Sequence, residues 1–325
     1  MLVPVFDPGF VPVSYGFRPG KSAHDAVKVV RLVIEQGYRW VVAVDLDAFF
    51  DRVNHDVLMA RVARKVNDKP LLKLIRCYVQ AGIMAEGVRQ SVSEGTLQGS
   101  PLSPLLSNIM GDDFDQEFWA RGHRFVRYAD DIRVFVKSKR AAERVLDQST
   151  MLLEQRLKLR VNQDKSSITP ATSAVLLGFG FFFTRSGVKV RVAPKAWQRA
   201  KARIRALTSR RWSVSMGYRI MRLNQYVRGW MGYFRLADTP RKFSDLDEWF
   251  RRRMRQIRWK EWADLAWQWG NSSRGYWRVA GSPILQRALP NVYWEQQGLT
   301  FFHQAWTRFQ RPSEPPYARP ARTVV

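Results

Sequence analysis

Residues 125–136, Phe-Val-Arg-Tyr-Ala-Asp-Asp-Ile-Arg-Val-Phe-Val, place two alternating apolar arms around a pair of adjacent carboxylates. Alternation on both sides of a tight turn predicts a β-hairpin with Asp130 and Asp131 at its tip. Neighbouring acids repel. The arrangement is tolerable where solvent screens them, or where a divalent cation sits between them and a third ligand; hard Mg²⁺ takes carboxylate and phosphate oxygens. A solvated turn explains the pair equally well, so a third carboxylate in the right setting decides between the two.

That setting lies upstream, in Trp40-Val-Val-Ala-Val-Asp-Leu-Asp-Ala-Phe-Phe-Asp51. Trp40 to Val44 is a continuous apolar run rich in β-branched residues, which predicts a strand covered on both faces, and it ends in Asp45. Two carboxylate sites on adjacent strands could hold two Mg²⁺ ions about 4 Å apart, the arrangement that activates a 3′-hydroxyl and stabilises leaving pyrophosphate. Asp47 and Asp51 compete for the role. Asp45 is preferred because it follows the strand directly, whereas the other two flank a helix expected to begin near Asn54.

The order of several blocks resembles a group II intron reverse transcriptase. These are Tyr15-Gly-Phe-Arg-Pro19, Asp45-Leu-Asp-Ala-Phe-Phe-Asp51, Gly95-Thr-Leu-Gln-Gly-Ser-Pro-Leu-Ser-Pro-Leu-Leu106, Arg127-Tyr-Ala-Asp-Asp131, Lys165 and Leu176-Leu-Gly-Phe179. The similarity continues through a maturase-type segment after residue 195. It implies an α+β fold: a right-hand polymerase palm, an antiparallel sheet with helices, followed by an all-α thumb and maturase domain. It further implies Mg²⁺, with Mn²⁺ as a substitute, held by Asp45, Asp130, Asp131 and the backbone of Leu46. Lys165 would stabilise departing pyrophosphate. Arg18, Phe50, Gln98, Gly99 and Tyr128 would contact nucleotide or template, with Phe49 assigned to the core and Phe50 to a gate against a ribose 2′-hydroxyl. Leu177, Gly178 and Phe179 would position the primer end. Leu97 and Ser100 depart from the family's usual Pro and Gly. Blocks that normally precede residue 15, in the fingers, are absent, so the chain is expected to be shortened at its start or to have its start placed too late.

The charge balance names the class of partner. The 325 residues carry 54 Lys and Arg against 28 Asp and Glu, a formal charge of +26, which calls for a polyanion. From Arg191 to Lys260 there are 20 Lys and Arg against 4 acids. Lys195, Arg199 and Arg203 recur at helical spacing, as do Arg251, Arg255 and Arg258, each beside apolar residues. We therefore expect both rows to bind RNA. Most of Trp197, Trp212, Trp230 and Trp249 are expected in the core of this domain. Intron RNA, a DNA target or primer and deoxynucleoside triphosphates are the partners that the resemblance implies.

The remaining expectations are local. Pro4, Pro8, Pro12 and Pro19 mark an extended lead-in. Ser22 to Asp25 opens a helix with a capping box and Gly37 closes it, with His24 solvated in the first turn. Asp112, Asp113 and Asp115 read as a solvated helix surface. A helix over 141–155 precedes a strand over 157–161, and Val175–Phe183 with Val188–Val192 makes a second hairpin about Ser186-Gly187. The expected domains are a palm over 1–192, a thumb over 193–262, a maturase extension over 263–310 and a disordered tail over 311–325. The single cysteine, Cys77, excludes an internal disulfide. No apolar run approaches a membrane span and the start lacks a leader pattern, so the cytoplasm or nucleoid is the expected location. Two other functions fit the residues: a splicing cofactor without polymerase activity, and an RNA-copying RNA polymerase, which Phe50 opposes.

Overall fold

In a computed structural model of the chain, residues 2–47, 49, 52–80, 83–85, 88–90, 102–265 and 280–310 are described. Phe50, Gln98, Gly99 and the tail from 311 lie outside them. The chain divides into two units, 1–189 and 190–325. In the first, a helical turn α1 (Val3–Phe6) and a loop precede α2 (Ala23–Glu35), β1 (Trp40–Val44), α3 (His55–Val62), α4 (Lys69–Gln80) and the small hairpin β2 (Ile83–Ala85) and β3 (Val88–Gln90). Next come α5 (Ser103–Ala120), β4 (Arg124–Tyr128), β5 (Asp131–Val136), α6 (Lys139–Met151), β6 (Ser167–Pro170), β7 (Val175–Leu176) and β8 (Phe179–Thr184), and β9 (Gly187–Val192) runs across the division at residue 189.

The main sheet runs β4-β5-β1-β6, with each neighbouring pair antiparallel. In β1 the adjacent residues Val41 and Val42 are both buried. Because successive side chains of a strand point to opposite faces, both faces of β1 are covered. Local signals set the helix starts: Ser22 Oγ accepts the Asp25 N–H, Asn54 Oδ1 accepts that of Val57 at 3.0 Å, and Ser138 caps α6. Residues 157–161 form no strand. Lys158 sits at φ 55° and only Val161 makes a bridge, to Leu46, although Leu157, Leu159 and Val161 are buried. Alternating burial alone mimics a strand there.

The second unit is helical: α7 (Pro194–Leu207), α8 (Met216–Phe234), α9 (Pro240–Leu265), α10 (Pro283–Ala288), α11 (Asn291–Gln296) and α12 (Phe302–Gln310). Pro194 stands in the first turn of α7, where its missing N–H costs nothing. Trp197 and Trp230, 5.3 Å apart, join Phe243, Phe302 and Trp306 in one aromatic cluster, but of these only Phe243 and Phe302 are buried. Trp197, Trp212, Trp230 and Trp249, expected mostly in the core, are each half-buried. No helix among the described residues is long and apolar enough to cross a membrane.

Candidate active site

Strand register brings the acids together. Val44 pairs with Ile132 and Tyr128 with Asp131, so Asp45, the next residue after β1, comes level with Asp131 at one end of the sheet. The turn between β4 and β5 is two residues, Ala129 and Asp130, with Ala129 at φ 57°. Asp130 is exposed; Asp45 and Asp131 are half-buried. Asp45 is held by its backbone, whose N–H donates to Ser166 Oγ at 3.1 Å and whose carbonyl accepts the Asn162 N–H at 2.8 Å. Lys165 lies in the same 162–166 loop, exposed, with its N–H donating to Asn162 Oδ1 at 3.1 Å. Asp47 instead pairs with Arg52 at 2.7 Å.

The electrostatics favour a cation here. Burial pushes the Asp131 carboxyl up, and Asp130 and Asp45 add to that, against the pull of Arg133. Arg133 Nη1 stands 2.5 Å from Asp131 Oδ1 as an ion pair. Asp45, Asp130 and Asp131 supply hard carboxylate oxygens of the kind that Mg²⁺ or Mn²⁺ takes, in competition with Arg133. Among the described residues, however, no three such groups are already drawn to ligand spacing.

Several expected contacts are placed elsewhere. Arg18 is not available to a phosphate: it donates to Asp7 Oδ1 at 2.8 Å and to the carbonyls of Asp7, Val11 and Ser14, and only 7% of its side chain is exposed. The proline-punctuated lead-in is helical over 3–9 and not extended as expected, and Arg18 ties Asp7, Val11 and Ser14 together. Leu177 (φ 51°) and Gly178 (φ 82°) form the turn between β7 and β8, whereas Phe179 is fully buried with its edge toward His24, 6.5 Å away. A primer contact there would fall on the turn and not on Phe179. Tyr128 is half-buried at the end of β4.

The α5 acids correct the sequence reading most. Asp115 is completely buried and takes Arg127 Nε at 2.9 and 2.8 Å and Nη2 at 2.6 Å. Asp113 pairs with Arg61 at 2.9 Å and with Arg64, which hold its carboxyl below the usual range. Arg127 also reaches Asn108 Oδ1 at 3.0 Å, Ser14 Oγ at 2.9 Å and the Ala129 carbonyl at 3.1 Å. Its guanidinium lies against Gly111, where an added Cβ would come within 2.9 Å of Cζ. Asn108, Gly111 and Asp115 are spaced three and four apart, one stripe of α5 facing β4. That spacing of Asn108, Gly111 and Asp115, between the apolar residues of α5, was the available signal. The lead-in joins the same cluster: Arg127 N–H donates to the Val13 carbonyl at 3.1 Å and Tyr15 N–H to the Arg127 carbonyl at 2.9 Å, with a parallel bridge at Ser14.

In the helical unit the two basic rows differ. Lys195, Arg199 and Arg203 are exposed along α7. Arg255 is buried and donates to the Ala280 carbonyl at 2.9 Å, so it is not an RNA contact. Arg258 spends its fork on the Tyr293 hydroxyl at 2.8 and 2.7 Å and on Glu261 at 2.8 Å. Arg251 is half-buried, 5.3 Å over the Phe301 ring. The row on α9 therefore holds α10 to α12 and their loops.

The chain matches the family described as reverse transcriptase (RNA-dependent DNA polymerase) over residues 1–181, and the group II intron maturase-specific domain over residues 197–277. Protein YkfC of Escherichia coli (strain K12) is 31% identical, over 68% of this chain and 68% of that protein. Group II intron-encoded protein LtrA of Lactococcus lactis subsp. cremoris is 27% identical, over 58% of this chain and 42% of that protein. The chain thus spans less than half the length of LtrA. Among solved structures, apo telomerase from Candida Tropicalis has a TM-score of 0.47 at 12% identity, over 91% of this chain and 52% of that one.

Proposed function

Because the chain belongs to the reverse transcriptase (RNA-dependent DNA polymerase) family and carries a group II intron maturase-specific domain, we propose that it copies intron RNA into DNA and assists splicing. The observation that carries the polymerase half is the register that levels Asp45 with Asp131 beside Asp130. Carboxylates from these three residues, with the Leu46 carbonyl, would hold the divalent cations, which when bound would supply Lewis-acid activation of a primer 3′-hydroxyl and charge stabilisation of pyrophosphate. Ser166 and Asn162 fix the Asp45 backbone, and the Ala129-Asp130 turn presents its acid to solvent. Lys165, exposed on the loop that grips Asp45, would neutralise the leaving group.

The exposed cations of α7, Lys195, Arg199 and Arg203, form the intron-RNA face. Deoxynucleoside triphosphates and a DNA primer are the other partners, and the cytoplasm or nucleoid is the compartment. A second reading, a splicing cofactor without polymerase activity, is favoured by one feature: Arg133 already occupies Asp131.

Primer extension on an RNA template with Mg²⁺ and deoxynucleotides tests the choice. The chain should extend, and Asp130→Ala and Asp45→Ala should not, with unchanged folding. Tight RNA binding without extension by any form favours the cofactor.

A further inference from the structure

Phe17 combines two unfavourable features. Its φ is 56° and its side chain is 55% exposed. The left-handed region is an outlier for a bulky residue, and burial of the ring, which could offset that strain, does not occur. In the free protein neither the conformation nor the ring's environment rewards a phenylalanine here.

The surrounding chain nonetheless holds the residue in this state from both sides. Tyr15 N–H is bound to the Arg127 carbonyl, and the Gly16 carbonyl accepts Asn108 Nδ2 at 2.8 Å. Arg18 is locked by Asp7 and three carbonyls. Gly16 lies so close to the catalytic turn that an added Cβ would overlap the Ala129 backbone nitrogen. No left-handed φ explains that glycine; lack of space does. The buried Arg127, Asp115 and Asn108 therefore fix one path for residues 13–18 past the turn that carries Asp130, and Phe17 is the next residue along it.

We propose that Phe17 is a stacking platform for a nucleobase beside the catalytic turn, held in its strained conformation by the Arg127–Asp115–Asn108 cluster. Every base has a π-face, so an exposed ring suits substrates of any sequence. The base's place in a reaction rests on the polymerase reading; stacking itself requires only nucleic acid. Two sources share this chemistry, the incoming nucleotide and the bound strand.

The test uses the full chain with Phe17→Ala, Phe17→Gly and Phe17→Tyr. Binding is read with an RNA template–DNA primer duplex whose template overhang carries 2-aminopurine, alongside thermal unfolding and steady-state extension. For a strand base, Ala and Gly should weaken duplex binding about tenfold and Tyr should stay within about twofold. For an incoming nucleotide, the deoxynucleotide KM should rise by a similar factor at unchanged duplex Kd. In both cases Phe17→Gly, which relieves the strain, should melt at the same or a higher temperature. A structural ring predicts the opposite sign for that midpoint. Loss of stability in Phe17→Gly, or neither Kd nor KM moving more than twofold in Phe17→Ala, would overturn the platform. Duplex binding that depends on Phe17 without extension by the parent chain sinks the polymerase reading and leaves the platform standing. Extension by the parent chain, with duplex Kd and deoxynucleotide KM both unmoved in Phe17→Ala, does the reverse.

Discussion

Asp247 of α9 caps α12 through Phe302: Oδ1 accepts the Phe302 N–H at 2.8 Å while Oδ2 accepts that of His303, also at 2.8 Å. The carboxyl is 2% exposed, and burial pushes its pKa up to about 6 from 3.8, although both N–H groups and Arg251 oppose the shift. The folded state therefore binds this proton more tightly than the unfolded chain does. The resulting stabilisation is complete below about pH 4 and is lost as pH rises through about 6, roughly 3 kcal/mol in all. Denaturant midpoints of the chain and of Asp247→Asn, compared at pH 4.5 and 7, should show that component in the parent alone. Equal pH dependence in both would rule out Asp247 as its source.

Exposure separates the two basic rows of the helical unit. Neutralising Lys195, Arg199 and Arg203 together should lower the slope of log Kd against log salt for RNA by about 0.7 per residue, roughly 2 in total. Arg255→Met should leave that slope unaltered, and strand the Ala280 carbonyl at a cost of about 1–3 kcal/mol in stability. Salt titrations and melting curves of the two variants check both halves.

Arg18→Ala removes every partner that Arg18 supplies to the lead-in. We expect a loss of about 2 kcal/mol or more, since three carbonyls and Asp7 lose a common donor. If Arg18 bound phosphate instead, the variant would keep its unfolding midpoint and lose only affinity for nucleotide.

Arg133 competes with a cation for Asp131. The pair is partly exposed, so its removal is worth about 1 kcal/mol, and Arg133→Gln should lower the Mn²⁺ concentration for half-saturation about fivefold. Paramagnetic titration of Mn²⁺ reads this without any turnover. A higher midpoint would mean that Arg133 orients the carboxylate.

Much of the palm was legible because its signals are local. The apolar run of β1 ending in Asp45, the alternating arms around Asp130 and Asp131, and the caps Ser22 and Asn54 each declare themselves within a few neighbours. Residues 157–161 failed for the same reason: Leu157, Leu159 and Val161 alternate, but the backbone at Lys158 turns left-handed and pairing is confined to a single bridge, Val161 with Leu46.

Charged residues were the least legible, because their roles depend on distant chain. Asp115 and Arg255 look like surface charges from their own segments. The lead-in and β4 bury the first, and the loop at Ala280 accepts from the second. By itself, the sequence placed most of the palm elements, three acids at one end of its sheet and a net charge suited to a polyanion, since periodicity, turn chemistry and net charge are properties of short stretches or of totals. Only the tertiary structure decided which charges are spent inside and which remain for a ligand, because desolvation and hydrogen-bond partners come from residues up to about a hundred positions away.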